Sequence, residues 1–207
     1  MTYFDSSRRR FLALSVASVA SFALPGAGLA SAEDPTARIQ AFYDVLVDTM
    51  KQGAQLGVQG RFEKMLPAIA ATYDIPAMTR IACGPDWNKI PADKQQALID
   101  AFGRLTTAGY AHNFSGWSGE RFQLDPNVIT RGPDKLVQTQ IVPASGAPTS
   151  IGYRMRQSGG AWKVIDVLYG AISQLTTRRS DFASSLAKGG PDALLAHLNA
   201  LVDKDMK

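Results

Sequence analysis

Residue types that do chemistry are sparse in this 207-residue chain, which holds two histidines, His112 and His197, and one cysteine, Cys83. These form no H-x-x-x-H or C-x-x-C pair, so a zinc site would have to be built from carboxylates. G-x-S-x-G, P-loop and G-x-G-x-x-G patterns are missing, which removes the usual serine nucleophile and phosphate cradle. His112 falls at the end of a predicted helix, where a cation suits the dipole. His197 flanks a leucine stripe, and Cys83, beside the helix-ending Gly84, reads as a small packed residue. Acid–base potential is confined to Asp166, on an otherwise apolar strand, with Tyr153 on the neighbouring strand. A buried Asp with tyrosine donors can move protons in isomerases and dehydratases built on cone-shaped α+β folds, and this stands as the alternative reading. Arg179 is the second misplaced charge, sharing a helical face with Leu175, Phe182 and Leu186. Asp166 and Arg179 on facing apolar surfaces predict a buried ion pair; the other reading sends Arg179 to the rim to meet a phosphate.

The elements that must position these groups follow from hydrophobic period. Ile39, Phe42, Tyr43, Leu46, Val47 and Met50 recur at three and four, an amphipathic helix ended by Gly53, Gly57 and Gly60. A second helix is predicted over about 61–72, with Pro67 marking a kink or a late start. Asp74 caps a short third helix that Gly84 closes. Pro91 opens a long fourth helix to about Asn113, with Leu98, Phe102, Leu105 and Gly109 on one face. The period then changes to two. Arg121 to Leu124 and Leu136 to Val142 read as strands, and Thr149, Ile151, Tyr153 and Met155 alternate with polar residues. Ser158-Gly159-Gly160 turns the chain into a strand where Trp162, Val164, Asp166 and Leu168 are expected on one face. Two helices finish, over about 173–187 and 191–202, separated by Gly189-Gly190. The order predicts an α+β single domain, with helices packed on one face of a curved antiparallel sheet.

Composition narrows the function classes. With 45% hydrophobic and 19% charged residues the chain is neither disordered nor a disulfide scaffold. Its formal net charge is +4, but residues 1–32 contribute Arg8, Arg9 and Arg10 against Asp5, so the remainder is only +2. No basic stripe survives, which sets nucleic acid aside as a partner. Residues 1–32 read instead as a cleavable export signal. Ser7-Arg8-Arg9-Arg10-Phe11-Leu12 is a twin-arginine pattern, and an uncharged run to Leu24 is too short to cross a bilayer. Ala30-Ser31-Ala32 places small residues before a cut between Ala32 and Glu33. The mature chain, 33–207, is then expected to work outside the cytoplasm, where its single cysteine forms no internal disulfide.

Trp162-Lys163-Val164-Ile165-Asp166-Val167, then Gly170-Ala171-Ile172-Ser173 and Arg179-Ser180-Asp181-Phe182, resemble the MlaC-like family of periplasmic lipid-binding proteins. Tyr73-Asp74-Ile75-Pro76-Ala77-Met78, Cys83-Gly84-Pro85-Asp86-Trp87, and Phe102 with Tyr110 look like further segments of that family. Tyr73 and Cys83 depart from its usual phenylalanine and leucine. A sub-branch, the HpnM-type proteins, accompanies hopanoid pathways, and the resemblance leaves that branch open. It implies a periplasmic carrier of phospholipid or a related membrane lipid, without catalysis, cofactor or metal. The implied partners are the substrate-binding component of an inner-membrane ABC transporter and an outer-membrane lipoprotein complex. A carrier must hide acyl tails, each buried methylene being worth about 0.8 kcal/mol, and a dry cavity between helices and sheet suffices. The inward candidates are Phe102 and Leu105 from the long helix and Ile141, Ile151, Tyr153, Met155 and Val164 from the strands. An ordinary packed core would use the same residue types. Arg179 and Asp166 become a head-group contact if they do not pair with each other.

Overall fold

The computed structural model describes residues 34–207. The export signal expected from the sequence, with its cut between Ala32 and Glu33, lies outside the described residues.

Helix α1, Pro35–Lys51, starts where the Asp34 carboxylate accepts the Thr36 N–H, with proline in the first turn. It buries Ile39, Phe42, Tyr43, Leu46 and Met50 of the predicted stripe and leaves Val47 half-buried. The glycines that follow were expected to end helical structure, yet Gly53 begins α2, Gly53–Thr72. The chain leaves helical conformation twice here, at Gln52, where α1 ends as expected, and at Gly57, whose φ of 60° bends α2. Pro67 sits in helical conformation beyond that bend. Gly53 is required for closeness: a Cβ there would meet the Ser115 carbonyl oxygen at 2.0 Å. The buried Arg61 side chain locks the same corner, donating to Gly53 O and Ala111 O, each at 2.7 Å.

Helix α3, Ile75–Cys83, is capped by Asp74 accepting the Ala77 N–H, and ends at Gly84 with φ 60°. A 3₁₀ turn, Gly84–Lys89, leads to α4, Ala92–Asn113. The last helical segment, α5, spans Gln174–Asp205 and is interrupted at Gly189 and Gly190. That interruption gives two helices in sequence, as the Gly-Gly pair predicts.

Six strands form one antiparallel sheet: β1 Arg121–Leu124, β2 Ile129–Arg131, β3 Asp134–Val142, β4 Thr149–Ser158, β5 Ala161–Tyr169 and β6 Ile172–Ser173. The order is β1-β3-β4-β5-β6, and β2 also lies along β3. The two-residue β6 and three-residue β2 are too short to show a period, which hid them from sequence reading.

The β5 faces differ from the predicted alternation. Met155 pairs with Val164, but Arg154 pairs with Asp166, so Ile165 is an extra residue in a bulge. Past the bulge the phase flips. Val167 and Tyr169 continue the face of Trp162 and Val164, while Asp166 and Leu168 turn to the other side. This corrects the expectation that Asp166 shares a face with Val164.

Helix α1 lies on the inner face. The Tyr43 hydroxyl and Thr139 Oγ1 are 2.6 Å apart, and the Tyr43 ring meets Phe122 and Tyr153. The chain between α2 and α3 joins the free edge of β5, where Tyr73 bridges Val164 and the Asp74 N–H donates to Val164 O. Lys163 from β5 caps α2 by donating to the Ala70 and Ala71 carbonyls. Among the described residues, no helix is long and apolar enough to cross a membrane.

Candidate functional site

A groove of about 210 Å³ lies between α4, the start of α5 and β5. Helix α4 supplies Phe102, Leu105, Thr106, Gly109 and Tyr110, and the α2–α3 corner adds Tyr73 and Met78. The opposite wall is Val167 and Tyr169 from β5 with Leu175 from α5. Gly109 and Thr106 are small beside their neighbours, which leaves α4 a concave stretch facing the strand. The polar lining groups are the exposed Asn113, the half-buried Gln174 and Arg178, and the buried Asp166.

Beneath the groove lies a cluster of phenols. The Tyr73 and Tyr110 hydroxyls share a short hydrogen bond. Phe42 packs edge-on to both rings, with centroids 5.6 Å from Tyr73 and 5.1 Å from Tyr110. Burial pushes the Tyr43 phenol up to about 12 against the stabilising bond to Thr139. Burial likewise raises Tyr73, Tyr110 and Tyr153 well above the ordinary phenol value. All four are therefore neutral at physiological pH, so the cluster contributes hydroxyls and no charge.

Of the residues expected to line a cavity, Phe102 and Leu105 face the groove. Ile151, Tyr153, Met155 and Val164 are buried in the core beside it, with Met155 paired to Val164 across the strands. Ile141 is half-buried at the β1 end of the sheet, opposite Phe122. Sequence reading missed Tyr73, Tyr110, Val167, Tyr169 and Leu175. The α4 residues were within reach, since Thr106 and Tyr110 extend the Phe102 stripe by helical spacing. Val167 and Tyr169 were not, because the bulge that turns them inward leaves no mark on the alternation.

Asp166 is committed elsewhere than predicted. Its Oδ2 accepts the Ser173 hydroxyl at 2.7 Å and its Oδ1 accepts the Leu175 N–H at 3.1 Å. Among the described residues no ion pair joins it to Arg179, which is exposed. The bulge removed the premise of that pair by turning Asp166 off the apolar face. It also separates Asp166 from Tyr153: Tyr153 pairs with Val167, and Asp166 pairs with Arg154, one step out of phase. The proposed proton-transfer couple is therefore not assembled.

The remaining candidates do not line the groove. His112 is exposed in the last turn of α4, and His197 is half-buried on α5. Cys83 is buried, and its thiol is pushed up to about 11 by burial and by Asp86. No group of three or more His, Cys, Asp or Glu among the described residues could hold a metal ion.

Comparison with known proteins gives two findings. The family model described as MlaC protein matches residues 40–200. The fold is similar to that of a phospholipid-binding protein from Ralstonia solanacearum, solved in complex with a phospholipid. That likeness has a TM-score of 0.74 at 24% identity, covering 84% of this chain and 99% of the other. No curated protein matches.

Proposed function

The chain belongs to the MlaC family, and we propose that it is a periplasmic lipid carrier that holds acyl tails between its helices and its sheet. The observation that carries this reading is the groove itself, apolar along α4 and along β5 apart from the hydrogen-bonded Asp166, and floored by neutral, hydrogen-bonded phenols. Tails gain from burial whatever their detailed contacts, at about 25 cal/mol per Å², so no catalytic group is needed. Its 210 Å³ is below the roughly 300–1,000 Å³ of ordinary ligand pockets, so α4 and α5 must part from β5 as tails go in. Phe102 and Leu105 then make the first contacts. Tyr153, Met155, Val164, Ile151 and Ile141 form the deeper wall that separation of the layers uncovers. Arg178, half-buried on the groove lining, is placed to meet a head group.

In this reading the precursor leaves the cytoplasm by the twin-arginine route and is cut between Ala32 and Glu33. The carrier moves phospholipid, or a hopanoid-type lipid, between an inner-membrane ABC transporter and an outer-membrane lipoprotein complex. Its family and the phospholipid held by the Ralstonia solanacearum protein of like fold support this assignment.

Native mass spectrometry of the protein purified from a Gram-negative periplasm tests it. The expected result is a stoichiometric adduct with the mass of one diacyl lipid or hopanoid. A protein that stays empty there, and also takes up no lipid from vesicles, would end the carrier reading.

A further inference from the structure

A second concavity of about 210 Å³ lies behind the groove, where the outer face of the sheet meets α3 and α5. Asp166 and Leu175 form the wall common to both. Helical rotation sorts two adjacent arginines between them: Arg178 lines the groove and Arg179 lines the second concavity. The topology then adds cations from other elements. Register places Arg154 of β4 beside Leu136 and Asp166, and Arg131 of β2 beside Asp134. Lys135 completes the set.

Two carboxylates also line this space, but both are engaged. Asp134 is held by Arg156 in a two-pronged contact at 2.6 and 3.0 Å. Asp166 is held by the Ser173 hydroxyl and the Leu175 N–H. Lys135 donates to Thr130 Oγ1 at 2.7 Å. Arg131 and Arg179 have no hydrogen bond or ion pair among the described residues. Arg154 Nε is out of solvent with no hydrogen-bond partner, and Asp134 Oδ2 stands off at 3.8 Å. The Arg179 guanidinium rests against Gly84, 3.2 Å from where a Cβ would stand, at the carboxyl end of α3. Three guanidiniums from three elements thus converge on one concavity, where the one ion pair any of them makes is the 3.8 Å approach of Arg154 to an Asp134 already held by Arg156. Their mutual repulsion, and the missing acceptor at Arg154, are both relieved by one tetrahedral oxyanion.

We propose that Arg131, Arg154 and Arg179 form a binding site for a phosphate-class oxyanion, either free phosphate or the phosphate of a lipid head group presented from outside. Guanidinium forks match phosphate oxygens two at a time, which a lysine cluster would not do. The concavity is ringed mostly by charged and polar side chains rather than apolar ones, and Asp166 and Leu175 stand between it and the groove. The site therefore does not rest on the lipid-carrier reading.

Titration calorimetry at low salt with inorganic phosphate, and co-sedimentation with phosphatidic acid or phosphatidylcholine vesicles, provide the test. Binding of phosphate, or sedimentation with phosphatidic acid but not phosphatidylcholine, is the expected result; the first marks a free-phosphate site and the second a head-group site. Arg131→Gln and Arg179→Gln change exposed side chains, so both variants should fold, and each should weaken binding about tenfold or more. Arg121→Gln, on the exposed β1 strand, should bind as the parent does. If neither probe binds, or if Arg131→Gln and Arg179→Gln bind as tightly as the parent, the proposal is overturned. An empty groove in the mass-spectrometric experiment leaves these outcomes unaffected.

Discussion

The Ser173 hydroxyl donates to Asp166 Oδ2 at 2.7 Å while its oxygen accepts the Thr176 N–H at 3.0 Å, so one serine joins β5 to the first turn of α5. The other Asp166 oxygen takes the Leu175 N–H. Two of the N–H groups that a helix start leaves without partners are thereby satisfied, and a carboxylate sits at the positive end of the helix dipole.

That arrangement sets the outcome of a mutant cycle. Asp166→Leu removes two acceptor contacts and should cost about 2–4 kcal/mol by urea denaturation. Arg179→Met, at an exposed position, should change stability by less than about 0.5 kcal/mol. Because the two side chains are not paired, the double mutant should show the sum within about 0.5 kcal/mol. Recovery of stability in the double mutant would restore the buried pair that the sequence suggested.

The groove can be filled without touching the deep core. Thr106 is half-buried on the groove wall and bonds only its own helix, at Phe102 O. We expect Thr106→Trp to remain folded and to lose most co-purified lipid, whereas His112→Ala retains it. Val167→Asp should act the same way, since a carboxylate facing tails costs several kcal/mol unless neutralised. Full lipid stoichiometry in a folded Thr106→Trp protein would place the tails elsewhere.

What the sequence made legible follows from where local signals were strong. Period-3.6 stripes and caps located α1, α3 and α4 because Asp74, Pro91 and Gly84 act within a few residues of themselves. Gly53 was read only as the end of α1, which it follows, because its other role is tertiary, the Ser115 carbonyl pressing where a side chain would be. The groove was half legible. Phe102 and Leu105 belong to a helix whose face the spacing declares, while Val167 and Tyr169 depend on a bulge at Ile165. A one-residue slip in a strand turns every later side chain over, and no local composition announced it. The same slip undid both sequence readings of Asp166.

Export offers a test that the folded domain does not touch. Lys substitution of both Arg8 and Arg9 should leave the precursor in the cytoplasm, because the twin-arginine pair is read as an address. Mature protein from the parent strain should begin at Glu33 on N-terminal sequencing. Undiminished export of the double mutant would assign the general secretory route instead.

The phenol cluster makes an alkaline prediction whose sign is fixed by its direction. Tyr43 is raised to about 12 in the folded chain, chiefly by burial, while an unfolded tyrosine ionises near 10. Below about pH 10 both states hold the proton, and the contribution to stability is complete. Between about 10 and 12 the unfolded chain releases it first, so stability falls with rising pH, by about 2–3 kcal/mol from Tyr43 alone. Tyr73, Tyr110 and Tyr153 are shifted in the same direction and steepen the loss. Tyrosinate absorbance should therefore rise in one cooperative step that coincides with loss of circular dichroism. Tyr43→Phe should cost about 1 kcal/mol at neutral pH, because Thr139 keeps its bond to Ile151 O, and should make the alkaline slope shallower. Phenols that all titrate near pH 10 while the helices persist would show that the cluster is open to solvent, and with it the floor of the groove.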